Sequence, residues 1–267
     1  MGAPPSLTVD GLPVTAEDLA HQALVNYGAY TSFGIEGGGA RGLTLHLDRL
    51  ETEAVELFGL AVGVERLRGL MRQALLDRRD AWMRVGLFSP EIGPRTPDWH
   101  GVPKVMVGVF APVAPVAETV RLQPQLYARE MPHLKHAATL GLIRARRLAR
   151  QAGHDDALFV DADGRISEGS LWNVGFLDGD QVIWPRAPML QGVTQALIQR
   201  GLEAVGMQGR TEVVTLDGLG RFDGAFICNS ATPACAVTAI GDRGFAVDPG
   251  RMARLREAWL AAPVEAI

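Results

Sequence analysis

Residues 157–184 read ALFVDADGRISEGSLWNVGFLDGDQVIW, and this stretch decides the fold class. Two Asp-Gly pairs, Asp163-Gly164 and Asp178-Gly179, punctuate runs rich in aliphatic and aromatic residues. Asp-Gly favours the positive φ of a tight hairpin turn, and the runs around it suit a pleated surface. Strands are expected over 157–161, 165–167, 172–177 and 182–184. Working outward, 119–123, 222–229 and 235–240 also read as strands. Helices are expected over 136–152, over 194–205, and from Pro249 onward. The first of these carries Ala138, Leu142, Ala145, Ala149 and Ala152 on one face, with Arg144, Arg147 and Arg150 on the other.

Toward the N-terminus the pattern changes. Asp10-Gly11 is a turn signal, and Thr15 with Asp18 resembles a capping box opening a helix to about Tyr27. A strand over 30–36 meets Gly37-Gly38-Gly39, which turns the chain into a second strand over 42–46. Leu47, Leu50, Ala54 and Leu57 then keep a helical period, and another helix spans 64–77. Strands over 81–88 and 104–110 flank a loop containing Pro90, Pro94 and Pro97. The run APVAPVA at 111–117 is stiffened by two prolines and reads as a linker. The expectation is an α+β chain in two parts: a small α/β domain over 1–111, a linker over 112–117, and a larger domain over 118–267. The density of hairpins gives the larger part a barrel-like, mostly antiparallel sheet and not a doubly wound parallel one.

A chain of 267 residues with 21% charged residues can bury a full core without a metal or disulfide framework. The net charge of −4 argues against a broad nucleic-acid surface. No apolar run approaches the roughly 20 residues of a membrane span, and residues 1–10 lack a signal-peptide pattern, so a cytoplasmic location is expected. Cys228 and Cys235 read as small buried hydrophobes. Of the 26 basic residues only Lys104 and Lys135 are lysine. Arginine keeps its proton and forms no Schiff base, so side-chain amine chemistry falls to these two.

Gly37 to Gly42 (GGGARG) matches a dinucleotide fingerprint, which requires a helix to start there. Leu43-Thr44-Leu45 alternates like a strand, which favours a hairpin turn. His133 and His136 lack nearby partners for a metal site, and no metal is expected. Lys104 follows Pro103 at a strand start, where a solvated charge is expected. Lys135 lies in a mildly apolar segment that could lower its pKa and leave a neutral amine. Glu168 could be a polar turn residue, or a fixed carboxylate able to keep a pyridinium nitrogen protonated. Gly192-Val193-Thr194 opens a helix whose unpaired amides suit an anion. Arg49, three residues after His46 on one helix face, could meet a phosphate, or be one more surface arginine. Asn229 to Thr232 is an ordinary turn or a phosphate loop.

Five runs stand in order: LHLDRL (45–50), LKH (134–136), SEGSLWN (167–173), LQGVT (190–194) and ICNSA (227–231). Together they resemble the fold-type IV, or class IV, pyridoxal-phosphate enzymes, a group with branched-chain and D-amino-acid aminotransferases and 4-amino-4-deoxychorismate lyase. The resemblance runs from about Ser32 to Asp242. It implies pyridoxal 5'-phosphate as cofactor, with Lys135 as Schiff-base lysine and proton shuttle. It further implies that Glu168 faces the ring nitrogen and that Arg49, Val193, Thr194 and Ser230 bind the phosphate. Ala231 would approach the substrate carboxylate. The implied activity is transamination of an amino acid or primary amine with a keto acid. Alternatives are a lyase releasing pyruvate and a cofactor-free binding descendant. The resemblance also implies a homodimer. Leu140 stands where branched-chain aminotransferases usually have tyrosine, and Gln195 where arginine is common. The LKH and ICN runs lean toward the lyase.

Overall fold

The computed structural model describes residues 6–115 and 117–267. The first five residues of the expected small domain and Val116 of the expected linker lie outside these. Contacts divide the chain into two compact units. The first runs to Val113 and also includes Leu134–Ala138 and Pro263–Ile267. The second comprises Ala114–His133 and Thr139–Ala262. The main boundary falls within the expected linker, but the two short returns depart from a simple two-block division. Both returns have a backbone cause, given below.

The first unit is built on five strands: β1 (Ser6–Val9), β2 (Leu12–Pro13), β3 (Ala29–Ile35), β5 (Ala81–Phe88) and β6 (Lys104–Phe110). They form an antiparallel sheet in the order β2-β1-β6-β5-β3. A short strand, β4 (Gly39–Arg41), follows β3 through a turn at Gly37 and Gly38, whose φ values are 60° and 91°. Helix α1 (Ala16–Leu24) opens with the expected capping box between Thr15 and Asp18. Helices α2 (Leu43–Phe58) and α3 (Val64–Leu75) complete the unit. Leu43, Leu47, Leu50, Ala54 and Phe58 form a stripe on α2 that is at most 1% exposed. Burying each leucine of this stripe is worth about 1.5–3 kcal/mol. The stripe packs with Phe33, Met83, Val85, Val105 and Val107 from the sheet.

Residues 42–46, expected as a strand, instead begin α2. Gly42 adopts the left-handed conformation (φ 67°), which turns the chain directly from β4 into the helix. Leu43 and Leu47, one turn apart, bury together where alternation had suggested a strand face. A helix therefore does follow the glycine run. The antiparallel pairing of β3, β5 and β6 is what sets this unit apart from a parallel dinucleotide-binding sheet.

The second unit carries a nine-stranded sheet. The strands are β7 (Thr119–Leu126), β8 (Asp156–Val160), β9 (Ile166–Gly169), β10 (Asn173–Asp178), β11 (Gln181–Pro185), β12 (Gln208–Glu212), β13 (Gly224–Asn229), β14 (Thr232–Ile240) and β15 (Arg243–Gly244). Their order is β12-β11-β10-β13-β14-β7-β8-β9, with β15 on β14. Most pairs are antiparallel; β7 lies parallel to both β8 and β14, and β11 parallel to β12. The sheet curls until its far ends meet. The Ile166 amide donates to the Val214 carbonyl at 2.8 Å, just past β12. Its inner core holds Trp172, Phe176, Ile183, Phe222 and Val237. Outside it pack α4 (Leu140–Gln151), α5 (Val193–Gly201) and α6 (Pro249–Leu260). Cys228 and Cys235 are buried free thiols, as expected. Burial pushes the Cys235 thiol up to about 11 and that of Cys228 higher still.

Helix α4 starts at Leu140, later than the expected 136. Residues 136–139 stay outside the helix because the chain here bonds beside β3: His136 bridges Ala29, and the Ala137 amide donates to the Gly28 carbonyl at 2.8 Å. The final strand, β16 (Val264–Ala266), pairs with β4, which accounts for the second return to the first unit.

Candidate active site

The first unit gathers one group of candidate residues around α2. Lys135 sits in the extended segment beside β3. Its carbonyl accepts from the Tyr30 amide at 3.0 Å, and its own amide donates to Glu53 Oε1 at 2.5 Å. Glu53 is 1% exposed and projects from the middle of α2. The Lys135 backbone is thus held on both sides, which fixes the root of its side chain. Its Nζ lies 5.0 Å from the centre of the Tyr30 ring, and the Arg84 guanidinium carbon lies 3.6 Å from the same ring.

Arg49 lies one turn before Glu53 on α2. Its Nη2 donates to Thr31 Oγ1 at 2.5 Å and approaches His46 Nδ1 at 3.4 Å. Thr31 Oγ1 and His46 Nδ1 are 2.6 Å apart. Arg49 is therefore held at a defined angle by two buried neighbours and is no free surface arginine. Burial first, then the positive charges of Arg49 and Lys135, hold His46 well below the usual histidine pKa. Its ring is neutral near pH 7.

Lys104 begins β6 with its side chain 41% exposed, as expected, and its Nζ also pairs with Asp18 Oδ1 at 3.0 Å beside the α1 capping box.

The second unit gathers the other group. Glu168 lies within β9 and not in a turn, and it is 4% exposed. Its Oε1 is 3.7 Å from Arg129 Nη1, whose side chain is equally buried. The Leu190 amide donates to the same oxygen at 3.4 Å. Asp156 secures the link from β9 to β10. It accepts from Ser170 Oγ at 2.5 Å and Trp172 Nε1 at 2.8 Å, and pairs with Arg146 at 3.4 Å.

Asn173 Nδ2 donates to the Leu190 carbonyl at 2.8 Å, so Glu168 and Asn173 together tie down the loop before α5. Gly192 is required there, because a Cβ would collide with Asn173 Oδ1. Gly192 supplies no side-chain cap, while Val193 and Thr194 are 7% and 3% exposed. A buried, uncapped helix start presents its first amides to an anion. Gln195 Oε1 is buried behind them with no hydrogen-bond partner among the described residues.

Ser230 and Ala231 form the turn between β13 and β14. Asn229 Oδ1 accepts from the amides of Ala231 at 3.0 Å and Thr232 at 2.9 Å. The Ala231 amide is thereby engaged within its own turn. Sequence reasoning singled out neither Thr31, Glu53, Arg129 nor Asn173. Only Glu53 left a local signal, as a carboxylate beside the apolar stripe of α2.

Each unit by itself offers groups that suit part of a phosphorylated pyridine aldehyde: in the first, a guanidinium for a phosphate and a fixed amine for an aldehyde; in the second, a buried helix start and a hydroxyl for a phosphate and a buried carboxylate for a protonated ring nitrogen.

A Rickettsia felis protein named as a probable branched-chain-amino-acid aminotransferase is 26% identical over 121 residues. That match covers 44% of this chain and 42% of the relative, so the chain aligns with less than half of that protein's length. A branched-chain aminotransferase from the archaeon Thermoproteus uzoniensis, solved with norvaline, superposes with a TM-score of 0.81 at 20% identity, over 96% of this chain and 94% of that one. A Legionella pneumophila structure named as a 4-amino-4-deoxychorismate lyase gives 0.80 at 18% identity, over 90% and 92%. These likenesses establish the two-domain fold-type IV architecture. The model of the amino-transferase class IV family matches residues 28–240. The chain belongs to the amino-transferase class IV family.

Proposed function

We propose that this protein is a pyridoxal-phosphate-dependent aminotransferase that moves an amino group from an amino acid or primary amine to a keto acid. The observation that carries this reading is the clamp on Lys135, whose carbonyl and amide are both held, by Tyr30 and Glu53. When bound, pyridoxal phosphate supplies an aldehyde that takes up amines and a ring that draws electrons from the carbon beside the nitrogen.

Lys135 would hold the cofactor through its amine and, once displaced by substrate, carry the substrate proton on Nζ. Glu168 would keep the proton on the ring nitrogen, its charge supported by Arg129. Arg49, the Val193 and Thr194 amides, and the Thr194 and Ser230 hydroxyls would hold the phosphate. Ala231 would contribute to the substrate side of its turn by position, since its amide already bonds Asn229. The reading includes a homodimer, carried from the family resemblance, and the cytoplasmic location expected from the sequence. Among the described residues no helix is long and apolar enough to cross a membrane.

The test is a donor screen with both enantiomers, using pyruvate or 2-oxoglutarate as acceptor. Keto product that depends on acceptor is expected. The lyase reading, favoured by the LKH and ICN runs, instead gives pyruvate from an amino-chorismate-like substrate without any acceptor. A colourless protein that takes up no pyridoxal phosphate would leave only a binding descendant.

A further inference from the structure

Three side chains of the first unit form a directed chain of hydrogen bonds. A guanidinium can only donate, so Arg49 Nη2 donates to Thr31 Oγ1 at 2.5 Å. The Thr31 hydroxyl, having accepted, keeps a proton that can be donated to His46 Nδ1 at 2.6 Å. In that direction Nδ1 carries a lone pair and the ring proton sits on Nε2. The 3.4 Å approach of Arg49 Nη2, which can only donate, to the same Nδ1 fits that lone pair. Thr31 is fully buried and His46 is 2% exposed, so water does not compete for these bonds. The Phe33 ring, 4.7 Å away between centroids, closes one side of the imidazole.

We infer that Thr31 and His46 are positioning residues that aim the Arg49 guanidinium at the cofactor phosphate. This rests on the reading of Arg49 as a phosphate ligand. Arginine carries about 2 kcal/mol of rotamer entropy. Bonds that fix its plane before the anion arrives reduce the ordering left to be done on binding. The charged groups facing His46 are Arg49 from α2 and Lys135 from the extended segment. Both are cations, so they oppose proton uptake by the ring. A proton on Nδ1 would turn an acceptor into a donor and break the chain at its root.

The test is titration of the full chain, stripped of cofactor, with pyridoxal 5'-phosphate and with pyridoxal, which lacks the phosphate. Thr31→Val keeps the shape and removes the hydroxyl. It is expected to weaken pyridoxal phosphate about tenfold, the scale of one hydrogen bond to a charged group, while pyridoxal changes less than twofold. Thr31→Ser should restore the affinity. Adding Thr31→Val to Arg49→Ala should cost nothing further, because the two act as one unit. Nitrogen NMR of the wild type should show the Nε2–H tautomer of His46. Equal weakening of both ligands, no change, full additivity with Arg49→Ala, or a proton on Nδ1 would each overturn the inference. Wild-type protein that binds neither ligand would instead remove the functional reading on which it rests.

Discussion

Lowering the pH from 7.5 to 5.5 should cost the first unit up to about 1.4 kcal/mol through His46 alone, the limit for a ring that stays neutral in the folded chain. In the unfolded chain this histidine titrates near its ordinary value of 6.5. In the folded chain burial and two neighbouring cations keep it neutral well below that. The depressed folded pKa sets the sign. Above pH 6.5 both states are neutral and the contribution is fully present. As pH falls toward the folded value, the unfolded state takes up the proton first and stability is lost. At pH 5.5 the unfolded ring is protonated roughly ten to one, and RT ln(1 + 10) gives about 1.4 kcal/mol. At pH 7.5 the same expression is under about 0.1 kcal/mol.

The assay is urea unfolding of wild type and His46→Asn at both pH values. Hydrogen exchange of the α2 amides assigns the transition to the first unit, because two units can unfold separately. Contributions from all other groups are common to both proteins and cancel. Wild type should lose up to about 1.4 kcal/mol more than the variant over this range. Equal losses would mean that native His46 accepts a proton by pH 5.5, which refutes the argument for its neutral state.

Thr15→Ala removes the side-chain cap of α1, where Thr15 Oγ1 accepts from the Asp18 amide at 3.1 Å. It should cost about 1 kcal/mol in urea unfolding, and Thr15→Ser should recover most of it. Gly201→Ala would drive a Cβ into the Ala258 carbonyl, forcing α5 and α6 apart. A loss of about 1–3 kcal/mol is expected in the second unit, read as a lower thermal midpoint.

Much of the fold was legible where local periodicity and packing agree. The strands Ala81–Phe88 and Lys104–Phe110 have the bounds that their apolar runs suggest. The start of α3 at Val64 also agrees with its period. Reading failed where distant backbone decides. Leu43-Thr44-Leu45 alternates like a strand, yet left-handed Gly42 launches a helix there. Residues 136–139 have helical composition, but backbone bonding of His136 and Ala137 beside β3 keeps them out of the helix. Ser167-Glu168-Gly169 lacks strand propensity and is drawn into β9 by pairing with β8. β12 is polar and gains its form from parallel pairing with β11.

The site divides in the same way. Arg49, Lys135, Glu168 and Thr194 stood out by residue type and order. Their partners Thr31, Glu53 and Arg129 did not, because each acts across a long sequence separation or through an ordinary-looking position. Glu53 meets Lys135 82 residues on, and no local pattern encodes that contact. The scarcity of lysine narrowed the amine to two candidates, and Lys104 is engaged by Asp18.

The most direct measurement is borohydride reduction of the full chain incubated with pyridoxal phosphate, followed by peptide mapping. The pyridoxyl label should fall on the peptide that contains Lys135, and Lys135→Ala should abolish it. Label on Lys104, or undiminished label in Lys135→Ala, would contradict the assignment of Lys135 as the cofactor-holding amine.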